Sequence, residues 1–267
     1  MRIEDSTVVV TGGASGIGRA LAMAFGANGA RVVVGDVDEA GAHRAAGDIR
    51  AAGGAAIAMR ADAADPDHIS ALLSMASEEF TPVDTYVANA GIIGAPGLAT
   101  EDDWDRILEV NLRAHVRAAR LLVPHWCSVG AGHFVAVASA AGLLSQIGAA
   151  GYAVSKHAAV GFAEWLAITY GDSGIGVSCV CPLGVDTPLL EAVRTAEDPD
   201  ARRGAASILQ SGEVITAERV AADTLDAVRQ NRFLVTPHPE VIPMYRMKGA
   251  DYDRWIEGMR RYQRSLD

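Results

Sequence analysis

Tyr152-Ala-Val-Ser-Lys156 sets a phenol and an ammonium four residues apart, one turn along the same face of a helix. A free tyrosine has a pKa of about 10, too high for a base near neutrality, and a neighbouring cation lowers it by favouring the phenolate. The pair reads as a general acid/base with the group that tunes it. The chain holds only two lysines, Lys156 and Lys248, among 23 basic residues. In a chain that otherwise prefers arginine, lysine at 156 suggests a need for a compact point charge. Ser139 directly follows the apolar run His133–Ala138, and its hydroxyl could polarise a carbonyl, although Ser-Ala-Ala-Gly also suits an ordinary turn. Asn111 interrupts a long helical pattern, where asparagine competes for backbone hydrogen bonds. It predicts a bend or a bound water, or else a side chain facing solvent.

A second group of residues could hold phosphates. Thr11-Gly12-Gly13-Ala14-Ser15-Gly16-Ile17-Gly18 follows the first predicted strand and opens the first predicted helix. Gly12 suits a tight turn, Gly16 a close approach of backbone to a pyrophosphate, and Gly18 close helix packing. The free N–H groups of the helix start would face the phosphates. Asp36 ends the second predicted strand, where a carboxylate would hold ribose hydroxyls; the same position also suits a helix N-cap. Its neighbours Gly35 and Val37 are not basic, and a carboxylate repels a 2′-phosphate, so NAD is expected over NADP. Asp62 and Asn89-Ala90-Gly91 end the third and fourth predicted strands and read either as ligand contacts or as plain turns.

The elements that must carry these groups follow from periodicity. Strands are expected at Thr7–Val10, Arg31–Gly35, Ala55–Arg60, Asp84–Ala88, His133–Ala138, Gly176–Cys181 and Phe233–Val235. Helices are expected at Gly16–Asn28, Glu39–Ala52, Asp67–Phe80, Glu101–Trp126, Tyr152–Gly171 and Ala217–Arg229. Apolar strands alternating with helices predict a three-layer, doubly wound parallel α/β sheet of about seven strands, helices on both faces, in one domain spanning 1–267. Two segments break the rhythm: Leu183 to Glu213, expected to be a binding loop and containing Pro188 and Pro199, and the tail Pro237–Asp267. Within the tail, Trp255, Met259 and Tyr262 fall at helical spacing over Asp251–Leu266. They suggest a packing helix or a lid.

Composition narrows the partners. With 33 acidic against 23 basic residues, the net charge of −10 disfavours a nucleic-acid partner. No apolar run has the roughly 18 residues of a membrane span, and the start of the chain lacks a signal-peptide pattern, so a cytoplasmic protein is expected. Cys127, Cys179 and Cys181 form no disulfide framework, and no His/Cys cluster has zinc-site spacing, so no metal is expected. The nearly apolar helix Ala158–Tyr170, with Glu164 its single charge, predicts a face buried against a second subunit.

Together these motifs resemble the short-chain dehydrogenase/reductase family, in its shorter single-domain branch. The resemblance covers Ser6 to Thr236 with the motifs in the family's order. It implies a Rossmann-type fold and hydride transfer between a nicotinamide and a secondary alcohol or ketone. Tyr152 would be the acid/base, Lys156 would hold the nicotinamide ribose and lower the tyrosine pKa, Ser139 would bind the reacting oxygen, and Asn111 would anchor a relay water. The implied cofactor set is Gly12, Ser15, Gly16, Ile17, Gly18, Asp36, Val37, Asp62, Ala63, Asn89, Ala90 and Gly91, with Tyr152, Lys156, Pro182, Gly184, Val185 and Thr187. One departure is Leu183, in Pro182-Leu183-Gly184-Val185-Asp186-Thr187, where the family usually has glycine; it is expected to alter the backbone there or to point a side chain at the substrate. Candidate substrate contacts are Ile93, Ser139, Leu143, Gln146, Tyr152, Leu183 and Leu189, in a pocket also fed by Ile92, Leu144, Ile147 and Leu190. They predict a mainly apolar cavity and a medium-sized substrate. Dimers and tetramers are common in the family, which fits a homodimer or homotetramer. The alternatives are a cofactor-retaining epimerase or dehydratase, which usually carries a larger C-terminal domain, and a non-catalytic dinucleotide sensor, which commonly loses the Tyr/Lys pair.

Overall fold

The computed structural model describes residues 2–266. The apolar, β-branched runs form seven strands: β1 (Thr7–Thr11), β2 (Arg31–Asp36), β3 (Ala55–Arg60), β4 (Thr85–Ala88), β5 (Gly132–Val137), β6 (Ile175–Val180) and β7 (Leu234–Val235). They join in one sheet of order β3-β2-β1-β4-β5-β6-β7, every pair parallel. Successive side chains of a strand face opposite ways. Thus Val8 and Val10 enter one core with Val32 and Val34, whereas Val9 and Val33 enter the other. Both cores need helices over them, which is why these strands show no polar alternation.

One face is covered by α1 (Gly16–Ala27), α2 (Glu39–Ala51) and α9 (Ala217–Gln230). The other is covered by α3 (Pro66–Glu79), α5 (Ala114–Val129) and α6 (Ala150–Tyr170). Strand order reverses between β1 and β4, and the crevice beyond their carboxyl ends is where such sheets bind ligands.

Three expectations need correction. The helix expected over Glu101–Trp126 is α4 (Glu101–Leu108), a π-helical turn Glu109–Arg113, and then α5. The wide turn coincides with Asn111, whose amide leaves the helix to accept from Ile92 N and donate to Ile92 O, both at 2.9 Å. The segment 183–213 is not an open loop but carries α7 (Pro188–Arg194) and α8 (Pro199–Gln210). Its two prolines occupy first helical positions behind the capping side chains of Thr187 and Asp198. The tail folds as α10 (Val241–Ala250), which was not foreseen, and α11 (Tyr252–Ser265). Among the described residues, no helix is long and apolar enough to cross a membrane, and no group of three potential metal-ligating side chains occurs.

Candidate active site

The turn from β1 into α1 is built on backbone that only glycine accommodates without strain. Gly12 and Gly16 have φ of 64° and 51°, and a Cβ on Gly18 would sit 2.0 Å from Gly12 O. The turn is pinned from β4: Asn89 donates its amide to Thr11 O at 2.9 Å and Gly12 O at 3.0 Å. Asn89 therefore acts on the turn itself. Ser15 starts α1 without capping it by its side chain, and the first turn contains no acidic residue, so its N–H groups are left for an anion. Thr187 meets the turn from the far side; a Cβ on Gly16 would lie 3.1 Å from its Cγ2.

The carboxylates at the strand ends are held in place. Asp36 accepts from Ala14 N and Asp38 N, each at 2.9 Å. Asp62 accepts from Ala64 N at 2.9 Å. The helix at Glu39 is capped by Asp38 instead of Asp36. Asp36, Val37, Asp62, Ala63, Asn89, Ala90 and Gly91 all line one cavity of about 930 Å³, as do Gly12, Ser15, Gly16, Ile17 and Gly18. These features fit a dinucleotide: a glycine cradle with an open helix start for phosphates and a fixed carboxylate for ribose hydroxyls.

The same cavity reaches Ser139, Tyr152 and Lys156. Tyr152 and Lys156 lie on the buried face of α6, and Ser139 caps the short 3-10 turn that follows β5. Ser139 Oγ accepts from Ala141 N at 3.1 Å and donates to Pro182 O at 3.5 Å. Asn111 is fully buried, and its Nδ2 donates to Ser155 Oγ at 3.0 Å, which in turn donates to Tyr152 O at 3.0 Å. Ser155, missed by sequence reasoning although it stands inside the Tyr-x-x-x-Lys motif, joins the π-helical turn to the turn of α6 that carries the phenol. Gly91 closes the group: a Cβ there would come within 3.4 Å of both Asn111 Oδ1 and Lys156 Nζ.

The electrostatics differ from expectation in one respect. Burial pushes the Tyr152 phenol above its ordinary pKa, and the nearby Ser139 hydroxyl only partly opposes this. Burial brings the Lys156 ammonium down to about 8. Lys156 was expected to hold the phenol down. Its Nζ instead lies 5.7 Å from the centre of the Tyr152 ring, over its face, and donates to Val137 O at 3.0 Å. One of its three N–H groups is thus engaged with a carbonyl, and two are left.

Pro182, Leu183, Gly184, Val185 and Thr187 also line the cavity. Leu183 does not have the positive φ that would call for glycine; its side chain packs on the core while its N–H donates to His238 Nδ1 at 3.1 Å. With Nδ1 accepting, His238 Nε2 carries the proton and donates to Gly184 O and Glu213 O, both at 3.1 Å. This buried histidine fixes the loop beyond β6, and nothing in its sequence neighbourhood pointed to that.

At the substrate end, Ile92, Ile93, Leu144, Gln146, Leu189 and Leu190 line the cavity. Leu143 and Ile147 do not. Leu143 and Leu144 are both buried in the core beyond the 3-10 turn, and Leu144 alone of the two also lines the cavity. Gln146 spends its amide on Ile147 O at 3.0 Å. The remaining wall comes from Met244, Met247, Trp255, Met259 and Tyr262 of the tail helices.

Comparison with known proteins agrees with this geometry. The short chain dehydrogenase family matches residues 6–198. The chain is 34% identical to 1-deoxy-11-beta-hydroxypentalenate dehydrogenase of Streptomyces exfoliatus, over 87% of this chain and 83% of that one. It is 36% identical to cis-4-hydroxycyclohexanecarboxylate dehydrogenase of Sinomonas cyclohexanicum, over 81% and 86%. Its fold is similar to that of a short chain dehydrogenase/reductase from Burkholderia phymatum solved in complex with NAD, with a TM-score of 0.85, 30% identity and coverage of 95% and 96%.

Proposed function

The chain belongs to the short chain dehydrogenase family, and we propose that within it the protein interconverts a secondary alcohol and a ketone with NAD, using Tyr152 as acid/base. It is an oxidoreductase acting on CH–OH groups with a nicotinamide dinucleotide. The observation that carries the finer reading is that Tyr152, Ser139 and Lys156 line the same cavity as Asp36 and Asp62, with Asn111 buried behind them and bonded to Ser155. In that reading the alcohol oxygen lies between the Tyr152 and Ser139 hydroxyls; Tyr152 as phenolate accepts its proton, and Ser139 donates to the carbonyl oxygen that forms. Bound NAD⁺ supplies the hydride acceptor and a positive charge that favours ionised tyrosine. Lys156 would hold ribose hydroxyls with the N–H groups that Val137 O leaves free. Asn111 and Ser155 keep the tyrosine turn in register.

NAD over NADP rests on Asp36, whose carboxylate lines the cavity and is fixed by two backbone donors. A 2′-phosphate would be set against that charge. Screening secondary alcohols while following reduced-nicotinamide absorbance tests both points. NAD⁺ is expected to exceed NADP⁺ in kcat/KM by about 100-fold or more, of the order of 3 kcal/mol. Equal values would contradict the cofactor assignment, and no turnover of any alcohol would contradict the reaction.

A second copy of the chain is the proposed macromolecular partner, in a homodimer or homotetramer. Ile168 and Trp165 of α6 are 77% and 53% exposed, and Leu121 and Val129 of α5 are also exposed. Phe162 stacks on Trp165, and Trp165 meets Tyr170 edge-to-face. Apolar helix faces of this kind call for burial.

A further inference from the structure

We propose that His115 is a positioning residue: it holds buried water against the Asn111–Lys156 pair, and that water steadies the Lys156 ammonium beside the Tyr152 ring. The catalytic half of this rests on the dehydrogenase reading above; the water site does not.

His115 is the second residue of α5, directly after the π-helical turn. It is 1% exposed, and neither ring nitrogen has a hydrogen-bond partner among the described residues. The other two buried histidines differ. His133 Nε2 meets Ser178 Oγ at 3.0 Å, and His238 uses both of its nitrogens. The His115 ring lies 6.2 Å from that of Phe134 on β5, tilted by 57°. A neutral imidazole carries one donor and one acceptor. Burying both unpaired is costly, and a phenylalanine beside Phe134 would fill the space without that cost. A buried polar side chain without a protein partner is where internal water is held, because water both donates and accepts.

The neighbouring groups define what that water meets. His115 stands four residues beyond Asn111, so the two side chains leave the helix on one side: Asn111 reaches Ser155 of α6, and His115 reaches β5. Asn111 commits its Nδ2 protons to Ile92 O and Ser155 Oγ. Its Oδ1 accepts from Ile92 N, which uses one of two lone pairs. Gly91 has no side chain to fill the gap between that oxygen and Lys156 Nζ; a Cβ there would be 3.4 Å from each. Water that donates to His115 and to Asn111 Oδ1 turns its own lone pairs to the ammonium.

Charge is consistent with this role. Burial, and after it the Lys156 charge, brings His115 down to about 3, so the ring stays neutral and does not compete with the ammonium. The thiols of Cys179 and Cys181, 3.8 Å apart at the end of β6, also act on Lys156. The hydrogen bond between them, with burial, pushes Cys179 up, so that thiol stays neutral too. His115 itself opens no path to solvent. Its part is to hold and not to pass a proton.

The test compares wild type, His115→Phe and His115→Gln, the last of which keeps a donor and an acceptor. kcat for cyclohexanol with NAD⁺ is measured against pH, together with the NADH Kd, and the wild type is crystallised at a resolution that shows ordered water. Without the water the ammonium is less favoured, the phenolate loses part of its support, and the pH limb on which Tyr152 ionises moves up. His115→Phe is expected to raise that limb by about 0.5–1 pH unit, which lowers kcat about three- to tenfold on its acid side, with the NADH Kd changed less than about threefold. His115→Gln is expected to return the limb to within about 0.3 pH unit of wild type. A wild-type limb in His115→Phe, whatever its Tm, would overturn the positioning role. If that variant does not fold, the wild-type crystal decides: a water within about 3.2 Å of a His115 ring nitrogen supports the site, and a dry ring overturns it. A wild type that binds NADH and oxidises no alcohol would overturn the reaction reading and the catalytic half of this one, and the crystal would still decide the water site.

Discussion

The two ends of the cavity are built by opposite means. At the dinucleotide end, backbone does the work: positive-φ glycines, an open helix start and carboxylates whose oxygens are fixed by N–H donors. At the substrate end, the wall is side chain and mainly apolar, drawn from the segments after β4 and β5 and from α7, α8, α10 and α11. The first construction admits one ligand geometry, because moving any piece breaks a hydrogen bond or creates a clash. The second sets size and polarity, and can be rebuilt by exchanging the side chains that line it. A fold of this kind keeps its cofactor while its substrate varies.

The sharpest way to separate the two ends is to remove the group at their junction. Ser139→Ala is expected to lower kcat by roughly 10²–10³, as for loss of an oxyanion donor, while the NADH Kd stays within about twofold. An unchanged kcat would remove Ser139 from the reaction. Gly18→Ala attacks the other construction. Its Cβ would overlap Gly12 O, and relief of that overlap should cost about 1–3 kcal/mol, or roughly 10–100-fold in NADH Kd. Normal NADH binding in that variant would show that the turn is not the cradle.

Acid should weaken the platform that both ends share. Burial brings His115 down to about 3 and His133 to about 4. Both are neutral in the fold, whereas the unfolded chain binds their protons below about 6.5. The unfolded state thus gains protons first. The stability these histidines contribute is complete above about pH 6.5 and is lost as pH falls from there through their folded values, at roughly 1.4 kcal/mol per pH unit for each. Thermal melts between pH 7.5 and 5 should show Tm falling; a Tm that held or rose would contradict it. The smallest expected effect on catalysis lies outside both ends. Ile168→Glu should shift a light-scattering mass towards the monomer while kcat/KM changes less than about twofold, and a wild type already monomeric at micromolar concentration would contradict the proposed assembly.

The same contrast governs what could be read from the sequence. All seven strands were legible because burial on both faces leaves unbroken apolar runs. Gly12, Gly16 and Gly18 were legible because backbone demands leave glycines at fixed spacing, and Tyr152 with Lys156 because one helical turn joins them. The substrate end was not. Pro188 and Pro199 suggested a loop and instead start helices, since proline is as much at home at a first helical position as in a turn. Leu143 and Leu144 are indistinguishable by type, and only the fold decides which one lines the cavity. His238 and Lys248 act on backbone carbonyls 54 and 105 residues away, contacts that leave no local pattern. Spacing places Lys156 on the face of Tyr152 but does not say that Nζ lies over the ring with one N–H on Val137 O.

The central claim is that the Tyr152 phenol is the acid/base of a cavity that binds NAD independently of it. Tyr152→Phe, assayed with NAD⁺ and cyclohexanol and titrated with NADH, tests it most directly. The account predicts kcat lowered by at least about 10³, with the NADH Kd within about twofold of wild type. Turnover close to wild type in that variant would contradict it.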